Sequence, residues 1–182
     1  MKQEIIIAGF GGQGVLSLGK ILAYSGIMQG LEVTWMPSYG PEMRGGTANV
    51  TVVLSDSPIS SPIAQDYDTV VVLNQQSLDK FECHVKPGGV LIYDPNGITH
   101  PPTRTDIAIY KVDATQQAAR MGNPRTFNMI VLGAMLQVNP EVVTLENAFK
   151  GLQKSLPERL HKTLPANRQA IEVGTHIVER VQ

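Results

Sequence analysis

A chain of 182 residues with 42% hydrophobic and 17% charged side chains can bury one sizeable core, and its composition excludes a disordered chain. Its formal net charge of −1 leaves no basic excess for nucleic acid or an anionic membrane surface. A lone cysteine, Cys83, excludes an internal disulfide and a self-held iron–sulfur cluster, which needs about four thiolates. The scattered His84, His100, His161 and His176 show no zinc-type spacing.

In chain order, Glu4–Ala8 reads as a short buried strand, too short to span a membrane and with no cleavage-site pattern behind it. Val15, Leu18, Leu22, Ser25 and Met28 then step by helical spacing, which predicts a helix over Gln13–Gln29 ended by Gly30. Further strands are predicted at Leu31–Met36, Thr47–Leu54, Thr69–Leu73, Val90–Tyr93 and Ile107–Val112. Three of the runs, Ile5–Ala8, Val70–Leu73 and Val90–Ile92, are apolar without alternation, as central strands covered on both faces should be. Between them Ser77–Val85 reads as a short helix stopped by Pro87-Gly88-Gly89, and Pro95–Pro102 as a loop. Phe127–Val138 is apolar nearly all round and predicts a buried helix. Leu145–Leu156 and Ala166–Val181 read as two surface helices. The apolar run Met129–Leu136 falls far below the ~20 residues of a membrane span, so a soluble, cytoplasmic protein is expected.

Strand–helix alternation at the start argues for a parallel α/β sheet. Between Met36 and Thr47 there is room for a loop only, whereas a parallel crossover takes about a dozen residues or more. The strand from Thr47 should therefore run antiparallel to a neighbour. The expected fold class is α/β, a Rossmann-like three-layer sandwich with a mixed, mainly parallel sheet, in a single domain over 1–182.

Two loops carry the chemistry. Gly9-Phe10-Gly11-Gly12-Gln13-Gly14 has the G-x-G-x-x-G spacing between a strand and a helix, where backbone N–H groups and the helix start can cradle a phosphate. A nicotinamide dinucleotide would also need an acidic residue at the end of the second strand, to hold the ribose hydroxyls. That end reads Met36-Pro37-Ser38, and Glu32 stands at the wrong end. The glycines alternatively serve only strand–helix packing. The second loop, Pro37-Ser38-Tyr39-Gly40-Pro41-Glu42-Met43-Arg44-Gly45-Gly46, should lie beside the first at the carboxyl edge of the sheet. Arg44, flanked by a flexible backbone, can reach a phosphate or carboxylate bidentately; alternatively Glu42 and Arg44 only pair with each other on the surface.

These loops, with Gly45-Gly46-Thr47-Ala48-Asn49 and the later Asn128-Met129-Ile130-Val131-Leu132-Gly133-Ala134, resemble the gamma subunits of 2-oxoacid:ferredoxin oxidoreductases over almost the whole chain. The second loop looks more like the 2-oxoglutarate and branched-chain (ketoisovalerate) branches than the pyruvate branch. The resemblance implies a subunit, inactive alone, of a complex that converts a 2-oxoacid and coenzyme A to acyl-CoA, carbon dioxide and a reduced acceptor. Thiamine diphosphate, magnesium and iron–sulfur clusters then reside on partner subunits, and this chain contributes to a shared coenzyme A site and to assembly, with a homodimer as a further expectation. No catalytic or metal-binding residue is expected in it. The resemblance implies cofactor-binding roles for Gly9, Gly11, Gly12, Gln13, Gly14, Ser38, Tyr39, Glu42, Arg44, Asn49 and Asn128. The Gly11–Gly14 amides would hold an anion and Arg44 a phosphate. Gln13 would reach the pantetheine or a neighbouring subunit, and Ser38, Tyr39 and Asn49 would add polar contacts. Arg125 and Asn128 would reach in from another helix start. The other class left open is a stand-alone regulatory module for a nucleotide or another phosphate-bearing ligand.

Overall fold

The computed structural model describes residues 1–40 and 46–182, so Glu42 and Arg44 lie outside the described residues. The strands are β1 (Lys2–Phe10), β2 (Glu32–Tyr39), β3 (Thr47–Ser55), β4 (Tyr67–Val72), β5 (Val85–Tyr93), β6 (Ala108–Lys111) and β7 (Glu179–Arg180). They form one sheet in the order β2-β3-β1-β4-β5-β6-β7. The helices are α1 (Val15–Met28), α2 (Gln75–Phe81), α3 (Ala114–Arg120), α4 (Phe127–Val138), α5 (Leu145–Ser155) and α6 (Leu164–Ile177).

β1, β4, β5 and β6 pair in parallel, and β3 runs antiparallel to both β1 and β2. The loop too short for a crossover thus produces the expected reversal. β7 adds a second reversal at the far edge. The sheet is mixed, with five strands pointing one way and β3 and β7 the other.

Side chains alternate across the sheet and fill two cores. Ile5, Ile7, Val50, Val52, Leu54 and Val71 face the side of α1, α4, α5 and α6. Ile6, Ala8, Val70, Val72, Leu91 and Ile109 face the side of α2, where Leu78, Phe81 and Tyr67 cover them. The sandwich is lopsided, because one short helix guards that second face. β1, β4 and the end of β5, whose sequences show no alternation, are buried on both faces, and so is β3 from Val50 to Ser55, beyond the sequence expectation.

Several boundaries differ from expectation. Asn74 starts α2 early, its Oδ1 accepting the Ser77 N–H at 2.7 Å. The same helix ends at Phe81, a 3₁₀ turn over Glu82–His84 follows, and β5 begins at Val85, well before Val90. Pairing of β4 with β5 accommodates the Pro87-Gly88-Gly89 stretch by a register shift between Tyr67 and Thr69. Helix α3 and strand β7 are additions: α3 is short and β7 pairs only Lys111 and Tyr110, so neither leaves a periodic pattern.

The closing helices α5 and α6 lie on the surface as expected, each burying one face. α4 is buried continuously from Met129 to Leu136, and α6 seals it with Ala170, Ile171 and Gly174. The two cross where glycine meets backbone: a Cβ on Gly133 would strike the Ile171 carbonyl, and one on Gly174 the Ile130 carbonyl. A carbonyl held in a helix cannot step aside as a side-chain tip can. Gly133→Ala should therefore separate the helices and cost about 3 kcal/mol. The check is the midpoint of urea unfolding, and an unchanged midpoint would contradict this account of the contact.

Candidate functional site

The carboxyl ends of β1 and β4 lie side by side. The chain leaves β1 through α1 toward β2, and leaves β4 through α2 toward β5. A crevice opens at such a divergence, and open α/β sheets bind ligands there. The loop entering α1 stands at this edge, and its cavity opens on the other side of β1, toward β3 and β2. Gly11 N–H donates to the Gly46 carbonyl at 2.8 Å, tying this loop to the start of β3. Gly12 and Gly14 take φ of 98° and 73°, left-handed values that a side chain resists.

Gly14 also stands at the N-cap of α1, so no side chain caps the helix, and its first turn holds no acidic residue. The first intrahelical bond runs from Leu18 N–H to the Gly14 carbonyl at 2.8 Å. The N–H groups of Val15, Leu16 and Ser17 precede it and have no intrahelical acceptor. They border a cavity of about 270 Å³ whose opposite wall is Tyr39, Thr47 and Ala48. Among the described residues no charged side chain lines this cavity. Its polarity comes from backbone dipoles and hydroxyls, which favour an anion.

Gln13 holds the loop in place. Its Oε1 accepts the Phe10 N–H at 2.6 Å, and its Nε2 donates to the Leu73 carbonyl at 3.1 Å, at the end of β4. The amide expected to reach a ligand is instead a strut between two strand ends. Gly9 is explained by the same strut, since a Cβ there would lie 2.5 Å from Gln13 Oε1. Gly9 and Gln13 thus shape the loop, while Gly11, Gly12 and Gly14 line the cavity.

Sheet register sorts the remaining candidates. Tyr39 pairs with Ala48, and Ala48 with Gly9, so these residues share the face of α1. Ser38 pairs with Asn49, and Asn49 with Ala8, whose side chain belongs to the α2-side core. Ser38 and Asn49 were expected beside Tyr39, but the two-residue period of a strand turns them to the opposite face. Glu32 pairs with Ser55 at the other end of the sheet, far from the crevice, as the argument against a nicotinamide site requires.

Asn128, in the first turn of α4, donates from Nδ2 to the Gly14 carbonyl at 3.3 Å. It lines a second cavity of about 560 Å³ together with Arg125 and Ser17. Ser17 borders both cavities, so they flank the same turn of α1. Sequence reading missed Ser17, Thr47 and Lys162. Ser17 has a usable signal, because it is the third helical residue after the glycine loop and so lies in the first turn. Lys162 has none, being brought in by tertiary packing alone.

Residues 4–177 match the pyruvate ferredoxin/flavodoxin oxidoreductase family, and the chain belongs to it. It is 36% identical over 177 residues to the ketoisovalerate oxidoreductase subunit VorA of Methanothermobacter thermautotrophicus, covering 97% of this chain but 35% of that protein. The chain therefore spans about a third of the length of that curated relative. A crystal structure of a keto/oxoacid ferredoxin oxidoreductase gamma subunit from Geobacter sulfurreducens superposes with a TM-score of 0.83 at 30% identity, covering 97% of this chain and 96% of that one. A 2-oxoglutarate:ferredoxin oxidoreductase from Magnetococcus marinus, solved with 2-oxoglutarate, coenzyme A and succinyl-CoA bound, shares the fold. Its TM-score is 0.85 at 24% identity, over 97% of this chain and 31% of that one.

If Gln13 is the strut, Gln13→Leu leaves the Phe10 N–H and the Leu73 carbonyl without partners. The expected loss is roughly 2–3 kcal/mol. Hydrogen exchange over residues 9–14 should rise in step. Exchange in that loop unchanged from wild type would refute the bridging role.

Proposed function

We propose that this chain is the gamma subunit of a 2-oxoacid:ferredoxin oxidoreductase and supplies part of its coenzyme A site. The observation that carries this reading is the uncapped start of α1, which with Gly11, Gly12 and Gly14 lines a cavity at the carboxyl end of β1, closed by Tyr39, Thr47 and Ala48. Coenzyme A carries a pyrophosphate, which such amides suit. The relatives' names support the same assignment, and the Magnetococcus enzyme sharing this fold holds coenzyme A.

The chemistry of the reaction belongs to thiamine diphosphate and iron–sulfur clusters, which take up the substrate carbonyl carbon and carry the electrons. This chain's residues do not fit a cluster. Cys83 stands alone and exposed, its thiol directed at the Lys80 carbonyl at 3.6 Å. Among the described residues no group of three or more His, Cys, Asp or Glu side chains could hold a metal ion. We therefore assign thiamine diphosphate, its magnesium and the clusters to partner subunits. What this chain does is bind and orient: its amides fix the phosphates, and its cavity walls exclude water from one side of them.

The edge of the sheet supports a life in a complex. β2 exposes Trp35, Met36 and Tyr39, at 41%, 37% and 58% of their full areas, on a strand with no outer neighbour. Pro37 in the middle of that strand removes one N–H donor from it. Side-chain packing by a partner subunit suits this edge better than a continued ladder. Tyr39 also lines the cavity, so the partner-facing edge and the ligand site are contiguous. No helix among the described residues is long and apolar enough to cross a membrane, and we place the complex in the cytoplasm.

Co-expression with its thiamine-binding and cluster-bearing partners should give 2-oxoacid oxidation that depends on coenzyme A, and leaving this chain out should abolish it. Ser17→Asp tests the site within that complex. An acid in the first turn suits the helix dipole, so the helix is preserved, but it repels a phosphate from the cavity. The KM for coenzyme A should rise at least about tenfold, equivalent to ~1.4 kcal/mol. The KM for the 2-oxoacid should stay the same. Full activity without this chain, with ligand binding by the chain alone, would instead make it a regulatory module.

A further inference from the structure

The second cavity is twice the size of the first, and its chemistry is different. Its lining is mixed, with Ile21, Met129, Leu152 and Leu156 forming an apolar part beside the polar Ser17, Asn123, Thr126, Asn128, Thr163 and Asn167. Its rim carries Arg125 and Lys162, both exposed, and no carboxylate lines it. Among the described residues Arg125 and Lys162 meet no acidic side chain. Lys20, Lys80, Arg120, Lys154, Arg159, Arg168 and Arg180 also meet none among the described residues, and what sets Arg125 and Lys162 apart is that both line one cavity. Two cations converging on a cavity without a counter-ion raise its potential and select an anion. The apolar part selects a ligand that also carries a flat or greasy group.

The two cavities are joined through α1. Ser17 borders both, and Asn128 holds the Gly14 carbonyl while lining the larger one. A phosphate held on the first turn of α1 therefore has the larger, partly apolar cavity on one side and the Tyr39–Thr47 wall on the other. We propose that the larger cavity seats the 3′-phosphoadenosine end of coenzyme A, with Arg125 and Lys162 recognising the 3′-phosphate. This rests on the coenzyme A reading above and extends it. The adenine covers the apolar part of the lining, and the 3′-phosphate meets the two cations as charge-assisted contacts. The pantetheine then leaves through the smaller cavity past Tyr39. The thiol end is thereby directed toward the exposed β2 edge.

Binding of coenzyme A and of 3′-dephospho-coenzyme A to the assembled complex decides the matter. The wild type should bind coenzyme A at least about tenfold more tightly than the dephospho form. The Arg125→Ala/Lys162→Ala double variant should bind both with the same Kd, and its Kd for the dephospho form should match that of the wild type. Adenosine 3′,5′-bisphosphate should compete with coenzyme A on the wild type and lose that competition on the variant. Both cations are exposed, so their removal leaves the core intact. A variant that keeps the full preference overturns the assignment of the 3′-phosphate while leaving the coenzyme A reading standing. A wild-type complex that binds neither compound overturns both.

Discussion

Helix α1 lies against the sheet with hydrogen atoms where most helices carry side chains. A Cβ on Gly19 would come within 2.5 Å of Val50, and one on Gly26 within 2.5 Å of Leu54. That close approach sets the height at which the first turn of α1 meets the carboxyl edge. It also sets how sharply the chain must turn out of β1, which is why Gly12 and Gly14 adopt left-handed values. Gln13 and Asn128 then lock the turn from two sides, one through the Leu73 carbonyl and the other through the Gly14 carbonyl. Packing of α4 against α6 through Gly133 and Gly174 positions Asn128 in turn. The cradle is therefore an outcome of helix packing across most of the chain.

Amides dominate the polar lining of the smaller cavity among the described residues. Backbone N–H groups do not titrate, so their own contribution to holding an anion would not change with pH. They are also pre-oriented and cost little ordering on binding. Among the described residues, the features beside these amides are the wall at Tyr39 and Thr47 and, across α1, the exposed Arg125 and Lys162. The site is open toward the β2 edge, where Trp35, Met36 and Tyr39 stand exposed. Completion of the site by a partner subunit fits an activity that needs a complex.

Much of the fold was legible because the chain is locally consistent. Uninterrupted β-branched runs marked β1, β4 and the end of β5 as doubly covered, and the short span from Met36 to Thr47 dictated the antiparallel turn. The glycine loop marked the floor of the site. What failed to show were features that depend on register or on distant packing. Ser38 and Tyr39 are adjacent in sequence, and only the pleat decides that Tyr39 faces the cavity and Ser38 does not. Gln13 sits inside the motif, but its use as a strut depends on a carbonyl contributed by β4. Lys162 reaches the second cavity only because α5 and α6 fold back over α1 and α4.

In the function proposed above, the first turn of α1 holds the phosphates of coenzyme A. Hydrogen exchange of the assembled oxidoreductase, with and without coenzyme A and resolved to short peptides, tests it directly. Strong protection over residues 11–17 on adding coenzyme A, with β7 and the amino end of β1 unchanged, is the predicted result. Exchange over residues 11–17 that does not respond to saturating coenzyme A, in an enzyme that consumes it, would contradict the account.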